Sequence, residues 1–284
     1  MKKKPIIQVL ICVLLLGSFS SAYAVVGGED FYHSTQLEND SLLQECLGEF
    51  KAELEHDNGA SPQWGSGDKD ENNPGTHGFI ASQALTILEN NNSTLDSFFT
   101  TARKKEIIKG SFQPDIDGAA SLYKDHFYCE DGDGLFGYSL SAYDNFRNHY
   151  NGAVANYQAG NITEAMNRLG KALHFISDIN EPHHSAGVSA INPTGNHTGY
   201  ENWVESNYSS FKVSSMTTSD LTAYKNTSLL SIANSSAQHS RGYITQAMST
   251  SVSNMRAATN ATLPRAQRDA AGVMYKFAKE VGLI

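Results

Sequence analysis

The sequence predicts an all-α fold: a multi-helix domain with long loops that carry chemistry. Three observations support this. Apolar residues recur at helical spacing in several stretches, few stretches alternate with the period of a strand, and caps and breakers fall at the ends of the helical stretches. The 284 residues suit one large domain or two small ones. With 40% hydrophobic and 18% charged residues, the chain is globular rather than disordered.

The elements follow in order. Residues 42–54 read as a helix that ends at Asn58-Gly59, and Ser61-Pro62-Gln63 reads as a linker. After Trp64 comes a loop rich in Gly, Asp and Asn, residues 65–75. Thr76 reads as an N-cap, Phe79, Ile80, Ala84, Ile87 and Leu88 recur at helical spacing, and Asn90-Asn91-Asn92 closes that helix. A second long helix is expected over 143–159, ending at Gly160. Thr163 opens a third, with Met166, Leu169, Leu173 and Ile176 on its apolar face and Pro182 as its stop. A shorter helix is expected over 200–208, and more follow from Leu221, the last an amphipathic one ending near Val281. No internal repeat is present.

Lys2, Lys3 and Lys4, the apolar run 6–16 and the A-x-A pattern at Ala22-Tyr23-Ala24 read as a secretory signal peptide, cut after Ala24. The run is short for a membrane anchor, so a secreted protein is expected. Cys12 lies in that peptide. Cys46 and Cys129 are too few and too scattered for a disulfide framework or a thiolate zinc site. Any metal must therefore rely on histidine and carboxylate. The formal net charge of −9 argues against sequence-independent binding to nucleic acid.

His174 and Asp178 stand four apart on a predicted helix, so their side chains share a face and reach one ion. His184 follows past Pro182. His197 and Glu201 repeat the spacing at the start of the next helix. One such pair is more often a surface pair or a buried hydrogen bond. Two pairs with His184 between them, in the order H-x3-D-x5-H-x12-H-x3-E, point to zinc. Imidazole and carboxylate suit that ion without thiolate. His149 and His239 fit no constellation, and His183 is expected to point away from the site.

The stretch from Leu173-His174 through Asp178, Pro182 and His184, followed by Asn196-His197 and Tyr200-Glu201-Asn202-Trp203, resembles the bacterial zinc-dependent phospholipases C. The resemblance extends from Trp64 to about residue 284. It implies an all-α catalytic domain that binds three zinc ions in a cleft. One ion would take Asp115, His126, His174 and Asp178. A second would take the free amino group and carbonyl of Trp64, His77 and the other oxygen of Asp178. The third would take His184, His197 and Glu201. Asp115 is the implied catalytic residue, orienting or deprotonating the attacking water. Because an α-amino group binds metal only when free, residues 25–63 become a pro-segment removed by an activating protease, leaving 64–284 as the catalytic domain. The implied reaction cleaves the glycerol-side phosphodiester of a phosphatidylcholine-like phospholipid at a membrane surface, releasing diacylglycerol and a phosphorylated headgroup. A monomer is expected. The family holds choline with an acidic residue and aromatic rings. The aligned positions here are Gly67 (with Asp68 beside it), Ile116 and Tyr123, so the headgroup stays open.

Two other readings remain at this stage. A nuclease or phosphatase of the S1/P1 type shares the scaffold but usually closes its pattern with Asp where this chain has Glu201, and usually carries disulfides. A non-catalytic zinc-stabilised secreted binding protein would need closed coordination spheres instead of open ones.

Overall fold

A computed structural model describes residues 75–117, 124–128, 141–190 and 192–284. The expected signal peptide and pro-segment, together with Trp64, Gly67, Asp68, Tyr123, Cys46 and Cys129, lie outside the described residues. The order is α1 (Gly75–Asn91), α2 (Ser93–Phe98), α3 (Thr101–Asp117), a 3-10 turn (Lys124–His126), α4 (Ala142–Gln158), α5 (Ile162–Ile179), α6 (Pro182–Ala186), α7 (His197–Asn207), a second 3-10 turn (Tyr208–Phe211), α8 (Thr218–Asn226), α9 (Leu229–Arg241), α10 (Ile244–Ala247) and α11 (Val252–Glu280). Among the described residues there is no strand, as the spacing predicts. No helix among them is long and apolar enough to cross a membrane.

Helix α5 is the centre of the packing. It is flanked by α1, α3, α4, α6, α9 and α11. From Ala172 to its end every residue is buried, polar ones included. A helix enclosed on all sides brings His174 and Asp178 into the interior rather than to a surface. The core around it holds Ile80, Ile87, Leu88, Phe146, Tyr150, Met166, Leu169, Ile176, Met274 and Phe277.

The crossing of α3 and α5 depends on two glycines. A Cβ on Gly110 would lie 2.1 Å from the Asn167 carbonyl oxygen, and one on Gly170 would lie 2.1 Å from the Ile107 carbonyl oxygen. Each glycine faces the other helix's backbone, so the two chains approach without side chains between them. That approach brings Ser111 and Asp115 of α3 against His174 of α5.

Asp269 of α11 ties the far end of α5 in place. It is fully buried and accepts from Asn180 Nδ2 at 3.0 Å, Ser236 Oγ at 2.6 Å, Arg265 Nε at 2.9 Å and the Tyr224 hydroxyl. A buried carboxylate persists only with such a set of donors. Asn180 is the C-cap of α5, two residues after Asp178.

The structure corrects several boundaries. Helix α1 opens at Gly75, and Thr76 is not its cap: its N–H and hydroxyl donate to Glu205 Oε2 of α7 at 2.9 and 2.7 Å. A carboxylate there suits the positive end of a helix. Helices α2 and α3 fall where apolar spacing predicts none. Asn92 caps α2, with its side chain accepting from Thr94 and Leu95 N–H, while α3 runs through Pro114. The proline removes one hydrogen bond near the helix's end, a cost that packing against α5 offsets. Helix α5 ends at Ile179, before Pro182. Glu181 before the proline is extended, and Pro182 starts α6 instead of stopping α5. Helix α7 begins at His197, so His197 and Glu201 share one helix. Ser141 and Asp144 form a capping box on α4, close to the predicted start.

Candidate metal centre

Six elements deliver side chains to one buried region. Helix α1 brings His77, α3 Asp115, the first 3-10 turn His126, α5 His174 and Asp178, α6 His184, and α7 His197 and Glu201. Each of these eight side chains is 3% exposed or less.

Asp178 stands in the middle. Its Oδ2 lies 3.0 Å from His126 Nδ1 and 3.1 Å from His174 Nε2. Its Oδ1 lies 3.4 Å from His77 Nε2 and 3.6 Å from His184 Nδ1. Asp115 Oδ1 is 3.4 Å from His174 Nε2 and 3.7 Å from His126 Nδ1, and its Oδ2 is 3.8 Å from His77 Nε2. A second group forms beside the first: Glu201 Oε1 lies 3.0 Å from His197 Nε2 and 3.3 Å from His184 Nε2.

Backbone carbonyls orient two of the rings. His174 Nδ1 donates to Ser111 O at 2.9 Å, which turns Nε2 toward the carboxylates. His184 Nδ1 donates to His126 O at 3.1 Å, which turns Nε2 toward Glu201. This is how metal-ligating imidazoles are usually held. Phe127 stacks on His184 with centroids 4.8 Å apart.

The residues fit a cation. Both oxygens of Asp115, Oε2 of Glu201 and Nδ1 of His197 are buried and find no hydrogen-bond partner among the described residues. Ring nitrogens of His126 and His174 face each other at 3.0 Å. Buried lone pairs converging without donors are costly unless a cation sits among them. Two ligands on a tetrahedral zinc stand about 3.3–3.4 Å apart, given bonds of about 2.0–2.1 Å. The separations between ligand atoms here bracket that value.

Electrostatics in the apoprotein show the same competition. Burial raises the Asp115 carboxyl to about 6, against the pull of His174 and His126. Burial opposes the charged form of His174, but Asp178 and Asp115 lift it to about 9. His184 rises to about 10, where burial is overcome by Asp178 and Glu201. Glu201 falls to about 2 despite burial, through His197 and His184. Asp178 is held well below the usual carboxylate range despite burial, chiefly by His174 and His126. His77 is pushed well down by burial and by His174.

The structure brings His77, Asp115, His126, His174 and Asp178 together as two triads that share His174, and places His184, His197 and Glu201 together with Glu181 in the next group. His183 stacks on the His197 ring, but its two ring nitrogens are turned to Glu181 Oε1 and Gly195 O. His149 stacks flat on Phe175 at 5.7 Å and His239 meets the Ala261 carbonyl at 3.2 Å, so neither joins them. Sequence reasoning missed Glu181. It caps α6, its Oε2 accepting the His184 N–H at 2.7 Å, and its Oε1 accepts from His183 Nδ1 at 2.8 Å. An acidic residue before a proline at N1 is a cap signal that the motif's other residues overshadow.

Known proteins resemble this chain in sequence and in fold. The chain is 29% identical over 236 residues to a phospholipase C of Clostridium haemolyticum, covering 73% of this chain and 59% of that protein. It is 31% identical over 241 residues to a phospholipase C of Clostridium perfringens strain 13, with the same coverage. The chain thus spans 59% of the length of these relatives. The crystal structure of C. perfringens alpha-toxin from an avian strain superposes with a TM-score of 0.66 at 26% identity, over 76% of this chain and 66% of that one. The C. absonum alpha-toxin gives a TM-score of 0.68 at 24% identity, over the same shares, which shows the fold. The family model described as zinc dependent phospholipase C matches residues 76–261. The span holds every member of the two buried groups, and the chain belongs to the zinc-dependent phospholipase C family.

Proposed function

We propose that the chain is a secreted phospholipase C that hydrolyses the glycerol-side phosphodiester of phospholipids. The observation that carries this is the buried pair of groups joined by Asp178, whose two oxygens face two different sets of histidines. Family membership and the phospholipase C relatives favour this reading over a nuclease.

Three zinc ions are proposed. Asp115, His126, His174 and Asp178 would hold one. His77, Asp178 and the Trp64 amino group and carbonyl would hold the second, and His184, His197 and Glu201 the third. When bound, the ions neutralise the phosphodiester's charge and lower the pKa of a water. Asp115 orients the attacking water and takes its proton at a carboxylate oxygen. The hydroxyl oxygen adds to phosphorus, the bond from phosphorus to the glycerol oxygen breaks, and that oxygen takes a proton from solvent water as diacylglycerol leaves, while the proton held by Asp115 returns to solvent. His174 and His184, held by carbonyls, keep the site rigid through this change.

The proposal extends to processing. Residues 1–24 direct secretion, a protease removes 25–63, and 64–284 act as a monomer at a membrane surface, without nucleic acid as partner. The mature protein, assayed on phospholipids of different headgroups and on single-stranded DNA, tests the reading. Release of diacylglycerol from phosphatidylcholine-like lipids is expected. Turnover of DNA with no lipid cleavage would replace it with the nuclease reading. N-terminal sequencing of the active protein should begin at Trp64, and a fully active form beginning at Val25 would refute the cut.

A further inference from the structure

Glu181 stands within metal-ligand spacing of His184, His197 and Glu201, but its oxygens, like the ring nitrogens of His183, are taken up by protein partners, and the two residues are 1% and 0% exposed. Both are fully engaged. Glu181 Oε2 accepts the His184 N–H at 2.7 Å, and Glu181 Oε1 accepts from His183 Nδ1 at 2.8 Å. His183 Nε2 donates to Gly195 O at 2.8 Å. The His183 ring lies flat on the His197 ring, with centroids 4.6 Å apart and planes within 3°.

These contacts join two elements that the chain itself separates. His184 belongs to α6 and His197 to the head of α7, with residues 187–196 between them. Asn196, just before His197, takes a left-handed φ of 49° and donates from Nδ2 to Ser249 O at 2.9 Å. The backbone at that point is strained and needs anchors on both sides. Asn196 supplies one and His183, through Gly195, the other. Packing alone does not explain His183: an apolar side chain of its shape would fill the space but leave Gly195 O without this donor and Glu181 Oε1 without its partner.

We infer that Glu181 and His183 are a positioning pair that sets the spacing of His184 and His197 for the third zinc ion. Glu181 fixes the backbone of one ligand, and His183 fixes the ring plane and approach of the other. Groups one shell out from a metal contribute to its affinity by this kind of preorganisation. The inference rests on the three-ion reading above.

The test is zinc titration of the chelator-stripped secreted protein, with metal content measured in parallel. Glu201→Gln identifies which binding step belongs to the third ion. His183→Met fills the ring's place without donors, and Glu181→Ala removes both acceptors. In each, the third ion's affinity should fall about 10–100-fold while the other two hold. Glu181→Gln keeps the volume and one acceptor oxygen, and folds if the others do not. It should show a smaller loss confined to the same ion. An equal fall at all three ions, or no fall at the third, would overturn the inference. An unsubstituted protein that binds only two ions would overturn the three-ion reading and this inference with it, and is recognised because it precedes any substitution.

Discussion

Asp178 is the residue on which the two groups meet, and its surroundings explain why the site is sensitive to single changes. It has two oxygens, four histidine nitrogens within 3.6 Å and almost no exposure. Asp115 differs, as a carboxylate with no hydrogen-bond donor on either oxygen among the described residues, and the proposed role makes it the proton acceptor. Asp115→Asn removes a proton acceptor of the same size and should lower turnover about 10²–10⁴-fold, checked by phospholipid hydrolysis at matched zinc content. The histidines predict a pH dependence. His174 and His184 titrate at about 9 and about 10 in the apoprotein, so both carry protons at neutral pH. Zinc must displace them, and its uptake should release on the order of two protons and weaken as pH falls. Calorimetry in buffers of different ionisation enthalpy reads this, and uptake without proton release would contradict it. For apoprotein stability the signs differ by group. The raised histidines stabilise fully below their ordinary 6.5, a contribution lost as pH rises through about 9–10. Glu201, lowered to about 2, stabilises above its ordinary 4.5, a contribution lost as pH falls toward 2. The contribution of these three groups is therefore largest between about 4.5 and 6.5, and thermal unfolding of the metal-free protein against pH should show it being lost above about 9 and toward 2.

At the scale of elements, the contact of α3 with α5 sets where Asp115 stands relative to His174. Gly170→Ala would place a methyl 2.1 Å from the Ile107 carbonyl oxygen. The helices must separate, at a cost of about 1–3 kcal/mol, read as a lower unfolding temperature with weaker zinc binding. The same elements show what the sequence made legible. Helices α4 and α5 carry apolar residues at clean spacing between strong caps and stops. His174, Asp178, His184, His197 and Glu201 could be picked from spacing alone, because helical periodicity turns separation along the chain into proximity. His77, Asp115 and His126 are legible only through the resemblance, since they reach the site from distant segments. Helix α3 was illegible for a physical reason. Arg103, Lys104, Lys105 and Glu106 crowd its first half, and Gly110 and Pro114 are poor helix residues. Its glycine is there for the crossing, a tertiary demand that local propensity does not encode. Glu181 is overshadowed by the motif's other residues, and the role of His183 appears only once α6 meets Gly195 and the head of α7.

At the scale of the whole molecule, six elements converge on one buried set of ligands, and Asp269 locks α5, α8, α9 and α11 around the end that carries Asp178. Such a framework keeps ligand spacing fixed before any cation arrives. The chain spans 59% of the length of the clostridial relatives, and the residues that match hold both groups of ligands. Its formal net charge of −9 leaves anion capture to the bound cations, so lipid turnover should depend on them entirely. The most direct test is hydrolysis of phosphatidylcholine by the secreted protein before chelation, after thorough removal of zinc, and after zinc is restored. Diacylglycerol and phosphocholine should appear, cease on removal and return on restoration. Lipid cleavage that survives complete removal of zinc would contradict the account.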